Sequence, residues 1–287
     1  MTKLVYTLKN DILVKMLFAV KYPDLLKRLV AVLLGIQYES IEQFEIRNPE
    51  MPPEEIGNKF CRLDINMKVN GRLTDLEIQV KKEHDFAERS LFYWAREYST
   101  ALGEGGEYIE LPQVIIISIM DFRLFDCTEF YSEYQALEVK RHIPLTDRMS
   151  LRYFELPKLP ELVNADDKLL VWLKLFDAET EEDLARLEAL EVSDMQQAIK
   201  AYRHVSATEE FRALERMRSD ARHNEASALG HARREGEQAE REKWQDVVAD
   251  KDMALAEKDA AIAKKDAENE ILRKLVADFQ SHNNRPI

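Results

Sequence analysis

The residues best placed to do chemistry in this sequence are acids, and they crowd into one stretch. Asp64, Asp75 and Glu77 lie in residues 60–82, FCRLDINMKVNGRLTDLEIQVKK, two alternating runs flanking Asn70-Gly71. Asn-Gly is a strong hairpin signal, because a type I′ turn needs φ > 0 at both central residues. With a two-residue loop the register follows: Val69 pairs with Arg72, Met67 with Thr74, Ile65 with Leu76 and Asp64 with Glu77. Opposed residues share a face, with Cβ atoms about 4.5–5.5 Å apart. One face then carries Leu63, Ile65, Met67, Val69, Leu76 and Ile78, a core surface. The other carries Arg62, Asp64, Asn66, Lys68, Asp75, Glu77 and Gln79. Two carboxylates so close repel unless positive charge lies between them, so the hairpin suits a cation. The same alternation also describes an ordinary antiparallel sheet with one face in water. A bulge would change the register. The pattern alone leaves both readings open.

At 287 residues the chain is long enough for one large domain or two small ones. Its net charge of −13 argues against bulk electrostatic attraction to nucleic acid. The acidity is uneven: residues 1–160 hold 21 Lys+Arg against 25 Asp+Glu, and residues 161–287 hold 20 against 29. A nearly neutral first part can still contact DNA through a local patch. The two cysteines, Cys61 and Cys127, have no metal-ligand spacing, and the count suits a reducing cytoplasm. No run of 18 apolar residues exists, and the N-terminus reads as neither signal peptide nor membrane span.

The hairpin needs elements to position it. Residues 10–35 read as two amphipathic helices, the first capped by Asn10 or Asp11, the second with Pro23 in its first turn and Gly35 at its end. Residues 40–57 read as a proline-bearing loop with a short strand near IEQFEIR. A helix is expected over 84–102, stopped by Gly103, Gly105 and Gly106, with His84 at its opening. Arg89 and Tyr93 on it are one turn apart and present together. Residues 112–120, PQVIIISIM, are a continuous apolar run too short for a helix, hence a buried strand. Further strands are expected at 133–142 and 149–156. The order gives an α/β domain with a mixed sheet over residues 1–160.

Beyond Pro160 the pattern becomes helical. Residues 165–204 show helical periodicity with Thr180-Glu-Glu-Asp as a cap, and residues 161–235 form a helical segment. Arg216, Arg218, Arg222, Arg233 and Arg234 are interspersed with acids and read as a solvated helix face. Residues 251–271 repeat a seven-residue unit, KDMALAE, KDAAIAK, KDAENEI. Val248, Leu255, Ile262, Asn269 and Val276 share one heptad position, with Leu272 and Phe279 three residues on; Lys258 and Lys265 weaken that second position upstream. Residues 236–287 are therefore read as a coiled-coil helix that joins copies of the chain, with a disordered tail; the alternative is a single solvated helix.

Several of these stretches resemble one family. LDINMKVNGRLTDLEIQ, FAERSLFYWAREYSTALGEGGEYIELPQVIIISI, MSLRYFELPKL and the opening NDILVKMLF are similar to the recombination-promoting nuclease and transposase branch of the PD-(D/E)XK superfamily, over about residues 8–160. The resemblance implies a restriction-endonuclease-like fold and a Mg²⁺-dependent DNA endonuclease, with Mn²⁺ as a substitute. It places the first acid on Asp64 and the acid-x-lysine motif on Glu77-Ile78-Gln79. Both carboxylates and the Ile78 carbonyl would then ligate the metal, which would acidify a water for in-line attack on a phosphodiester. Gln79 stands where the superfamily has Lys; it can orient a water but brings no charge. Lys81, two residues on, or Arg62 would supply the missing cation. Arg89 and Tyr93 match positions that would contact phosphate or buttress the acids. Two rivals remain at this stage: a degenerate nuclease fold serving as a DNA- or protein-binding module, and a defence or toxin component acting on other nucleic acid.

Overall fold

The computed structural model describes residues 2–48, 65–103 and 105–283, with side chains as far as Asp278. It divides into two units, Met1–Ala221 and Arg222–Ile287.

The first unit is built on a six-stranded mixed sheet. Its strands are β1 (Phe44–Ile46), β2 (Ile65–Val69), β3 (Arg72–Gln79), β4 (Val114–Met120), β5 (Tyr131–Tyr134) and β6 (Met149–Glu155), in the order β1-β2-β3-β4-β6-β5. The β2–β3 hairpin has the register read from its turn: Ile65 opposes Leu76, Met67 opposes Thr74 and Val69 opposes Arg72. Asn70 and Gly71 both take positive φ, 47° and 80°. The Asn70 side chain also accepts from the Glu42 and Gln43 amides and donates to the Ser40 carbonyl, tying the approach to β1 to the turn. Strands β3, β4 and β6 run parallel to one another, while β1, β2 and β5 pair antiparallel with their neighbours.

Every residue of β4 is buried, because helices cover both faces of the sheet. Ile115, Ile117 and Ile119 face a large core with Ile65, Met67, Leu76 and Phe154. That core is completed by α1 (Asp11–Val14, continued as a π-helix over Lys15–Lys21), α2 (Pro23–Leu34), α4 (Lys168–Asp177), α5 (Glu181–Glu188) and α6 (Ser193–Ser206). It runs without a break past Pro160 to Phe211, in the first turn of α7 (Glu209–Asn283). Val114, Ile116 and Met120 face the other way, into a smaller core with Leu151, Tyr153 and Phe86 of α3 (Phe86–Thr100).

Asn10 caps α1 through the Leu13 amide, Pro23 opens α2, and Gly35 closes it at φ 68°. Thr180 and Asp183 form a reciprocal capping box at α5. One expected strand is corrected. Residues 133–142 are extended only as far as Tyr134; beyond it an isolated Leu137–Pro144 bridge leads to a tight turn. The Glu138 carboxylate closes that turn by accepting from the amides of Lys140 and Arg141, and His142 takes φ 54°. Local side-chain bonds of this kind compete with ladder pairing. His84 lies before α3 and is exposed. Among the described residues no helix is long and apolar enough to cross a membrane.

Candidate functional site

Glu77 sits near the C-terminal end of β3, on the sheet face that α3 covers, and it is only 7 % exposed. Its parallel-register neighbours on that face are Ser118 of β4 and, one strand further, Tyr153 of β6. Glu77 is thus roofed by a helix, while Lys68 on the same face of the hairpin is left in water. Strand alternation put the acids on one face, and α3 gives that face an interior.

The roof is fixed at two points. Phe86 is fully buried, with its ring edge-on to Tyr153 at 6.3 Å. Ser90, also fully buried, shares a 2.5 Å hydrogen bond with the Tyr153 hydroxyl. Burial raises the Tyr153 phenol above its ordinary pKa, and the Glu77 charge adds to this. With Phe86 and Ser90 anchored, Arg89 comes over Glu77 at 3.4 Å. A second arm of the guanidinium bonds Glu83, and its plane lies 5.1 Å above the Phe86 ring. Tyr93 follows one turn later, half-buried. Arg47, just past β1, holds Glu97 of α3 at 3.1 Å, so the helix is tied to the hairpin side of the sheet as well.

The acid-x-Gln motif is split by strand geometry. The Gln79 carbonyl accepts from the Asp121 amide at 2.9 Å, beyond the end of β4. Backbone groups alternate along a strand, so the Ile78 carbonyl turns to the opposite edge, towards β2. The Gln79 side chain donates to the Lys81 carbonyl at 2.9 Å, leaving its Oε1 as an acceptor. β3 ends at Gln79, so the alternation does not extend to Lys81, which lies exposed in the bend beyond.

Asp64 and Arg62 lie outside the described residues. Among the described residues no group of three or more His, Cys, Asp or Glu is arranged to hold a metal ion. What the described part contributes is the Glu77 carboxylate and the Ile78 carbonyl. Both are hard oxygen donors of the kind Mg²⁺ and Mn²⁺ prefer. The Ser118 hydroxyl, fully buried in the strand beside Glu77, has no hydrogen-bond partner among the described residues. A polar group in that position fits a site completed by water or an ion.

Residues 8–232 match the family described as PD-(D/E)XK nuclease family transposase. The chain belongs to this family. The match spans the whole sheet and continues into α7, well past Pro160, in keeping with the shared core. No curated protein and no solved structure matches the chain.

Some site residues were not singled out from sequence. Ser118 is the lone polar residue of VIIISIM, and that interruption was its signal. Glu83, the second partner of Arg89, had no signal beyond its charge. Glu155 is 1 % exposed and pairs with Lys158 at 2.6 Å, sealing the end of β6.

Proposed function

We propose that this protein is a divalent-metal-dependent DNA endonuclease that hydrolyses phosphodiester bonds in the cytoplasm. The observation that carries the reading is a carboxylate, Glu77, held in a roofed strand position beside an arginine, in a chain of a nuclease family. In this reading Asp64, Glu77 and the Ile78 carbonyl hold Mg²⁺, with Mn²⁺ as substitute. The bound cation supplies acidification of a water and neutralisation of charge at phosphorus.

The chain's own residues divide the remaining tasks. Gln79 has its amide nitrogen committed to the Lys81 carbonyl, so its free oxygen accepts a hydrogen from the attacking water and orients it. Arg89 stands at the rim with a fork that matches a phosphate oxygen pair. Contact with Glu77 and Glu83 keeps that fork oriented before DNA arrives. Tyr93, one turn along, lines the same approach. Lys81 is exposed beside Gln79 and supplies the positive charge that the motif lacks. The heptads of α7 join copies of the chain.

Plasmid cleavage by the purified protein with Mg²⁺, Mn²⁺ or EDTA tests this, run beside Asp64→Ala and Glu77→Ala. Metal-dependent nicking lost in both variants is the expected result. If the native protein fails to cut with either Mg²⁺ or Mn²⁺, the fold serves as a DNA- or protein-binding module instead.

A further inference from the structure

The second unit is a helix in which one repeated set of charges finds no partner among the described residues. Val248, Leu255, Ile262 and Val276 recur every seven or fourteen residues and are each more than half exposed, as are Trp244 and Leu272 on the adjoining position. Taking Val248 as heptad position a, position d holds Trp244, Lys251, Lys258, Lys265 and Leu272, and position e holds Asp252, Asp259, Asp266 and Arg273. Helical neighbours lie three or four residues apart. At those spacings Lys251 and Lys258 meet no acid, and Asp252, Asp259 and Asp266 meet no base. The helix does form ion pairs at such spacing elsewhere, as in Arg233–Glu237 and Lys274–Glu270. Among the described residues the repeated Lys-Asp doublets form none, even Lys265, which has Glu268 three residues on.

We infer that α7 pairs with a second copy of this chain as a parallel, in-register two-stranded coiled coil, in which the doublets pair between copies. In a parallel pair each d residue enters a hole walled partly by the partner's e residue. Lys251, Lys258 and Lys265 of one copy therefore meet Asp252, Asp259 and Asp266 of the other. Position g holds Val247, Ala254 and Ala261 over the same stretch, so no g residue competes for those acids. One heptad on, g is Glu268, and parallel g-to-e pairing matches it with Arg273 of the second copy. Asn269 then faces Asn269 on the seam, an arrangement that selects two parallel strands in register. An antiparallel pair would set position e against position e, with acids facing acids. The inference extends the oligomeric part of the reading above. It tethers two nuclease sites together, one for each strand of a duplex.

The test uses full-length chains in which Cys61 and Cys127 are Ser, one carrying Leu255→Cys and another Val276→Cys. These positions are about 31 Å apart along the helix. In a parallel register each variant cross-links to itself on oxidation, so both give twice the chain mass on a denaturing gel. Cross-linking only when the two variants are mixed would mean an antiparallel pair, and a monomer by light scattering would mean none; either overturns the inference. Asp252→Lys, Asp259→Lys and Asp266→Lys together should weaken the dimer at least ~10-fold. Adding Lys251→Asp, Lys258→Asp and Lys265→Asp should restore it, since that chain keeps the native composition. Failure to restore would refute the doublet pairing. None of these readouts involves cleavage, so a dimer without nuclease activity would refute the nuclease reading alone.

Discussion

Replacing Lys158 by Met tests whether the end of β6 is held by charge. The Glu155 and Lys158 side chains are 1 % and 4 % exposed and lie 2.6 Å apart. Glu155 also accepts from the amides of Leu124 and Phe125, and Lys158 donates to the Phe125 carbonyl. Burial pulls the Lys158 pKa down, but its hydrogen bonds and charge interactions with Glu155 and Cys127 together outweigh this and the net shift is upward. Deleting one partner of a buried pair leaves an uncompensated charge and costs about 3–5 kcal/mol. That is a large share of the ~5–15 kcal/mol typical of a domain. With a slope of about 2–3 kcal/mol per molar, the urea midpoint should fall by about 1–2.5 M. Trp172, buried 6.2 Å from Phe18, reports the first unit by its fluorescence. Glu155→Gln with Lys158→Met removes both charges and should recover much of the loss, so the cycle isolates the pair. Because the Lys158 pKa is raised, the pair's contribution is complete below the ordinary lysine pKa and fades as pH rises through the folded value. A single-mutant cost under ~1 kcal/mol would refute the reasoning.

The remaining predictions concern the site and its supports. Arg89→Met removes a cation next to Glu77 and, on the proposed reading, a phosphate contact, so calorimetry should show tighter Mn²⁺ binding while the KM for DNA rises; weaker metal binding would count against the placement. Asn70→Ala loses three hydrogen bonds to residues 40–43 and a tolerated positive φ, and should cost about 1–3 kcal/mol in thermal unfolding. Tyr131 and Tyr202 are both pushed up to about 12, chiefly by burial, Tyr131 also by its bond to Glu133. Stability from these two phenols is therefore complete below pH ~10 and lost between there and about pH 12. Absorbance titration should find them among the last of the ten tyrosines to ionise.

The sequence by itself determined the hairpin. Asn70-Gly71 dictates a turn with two positive φ values, and period-two alternation then sorts Asp75, Glu77 and Gln79 onto one face and Leu76 and Ile78 onto the other. It also determined α2, through Pro23 and Gly35, and β4, because a nine-residue apolar run is too short for a buried helix. These are local constraints, carried by backbone conformation and hydrophobic period. It did not determine what lay over the acids: an alternating strand looks the same whether its polar face meets water or a helix. Only the packing of α3, anchored by Phe86 and by Ser90 on Tyr153, brought Arg89 onto Glu77 and buried the carboxylate. Nor could it show the end of β5, where the Glu138 carboxylate outcompetes the ladder, or the shared core that carries α4 to α6 across Pro160. Each depends on contacts between residues far apart in the chain, whose energies no local pattern records.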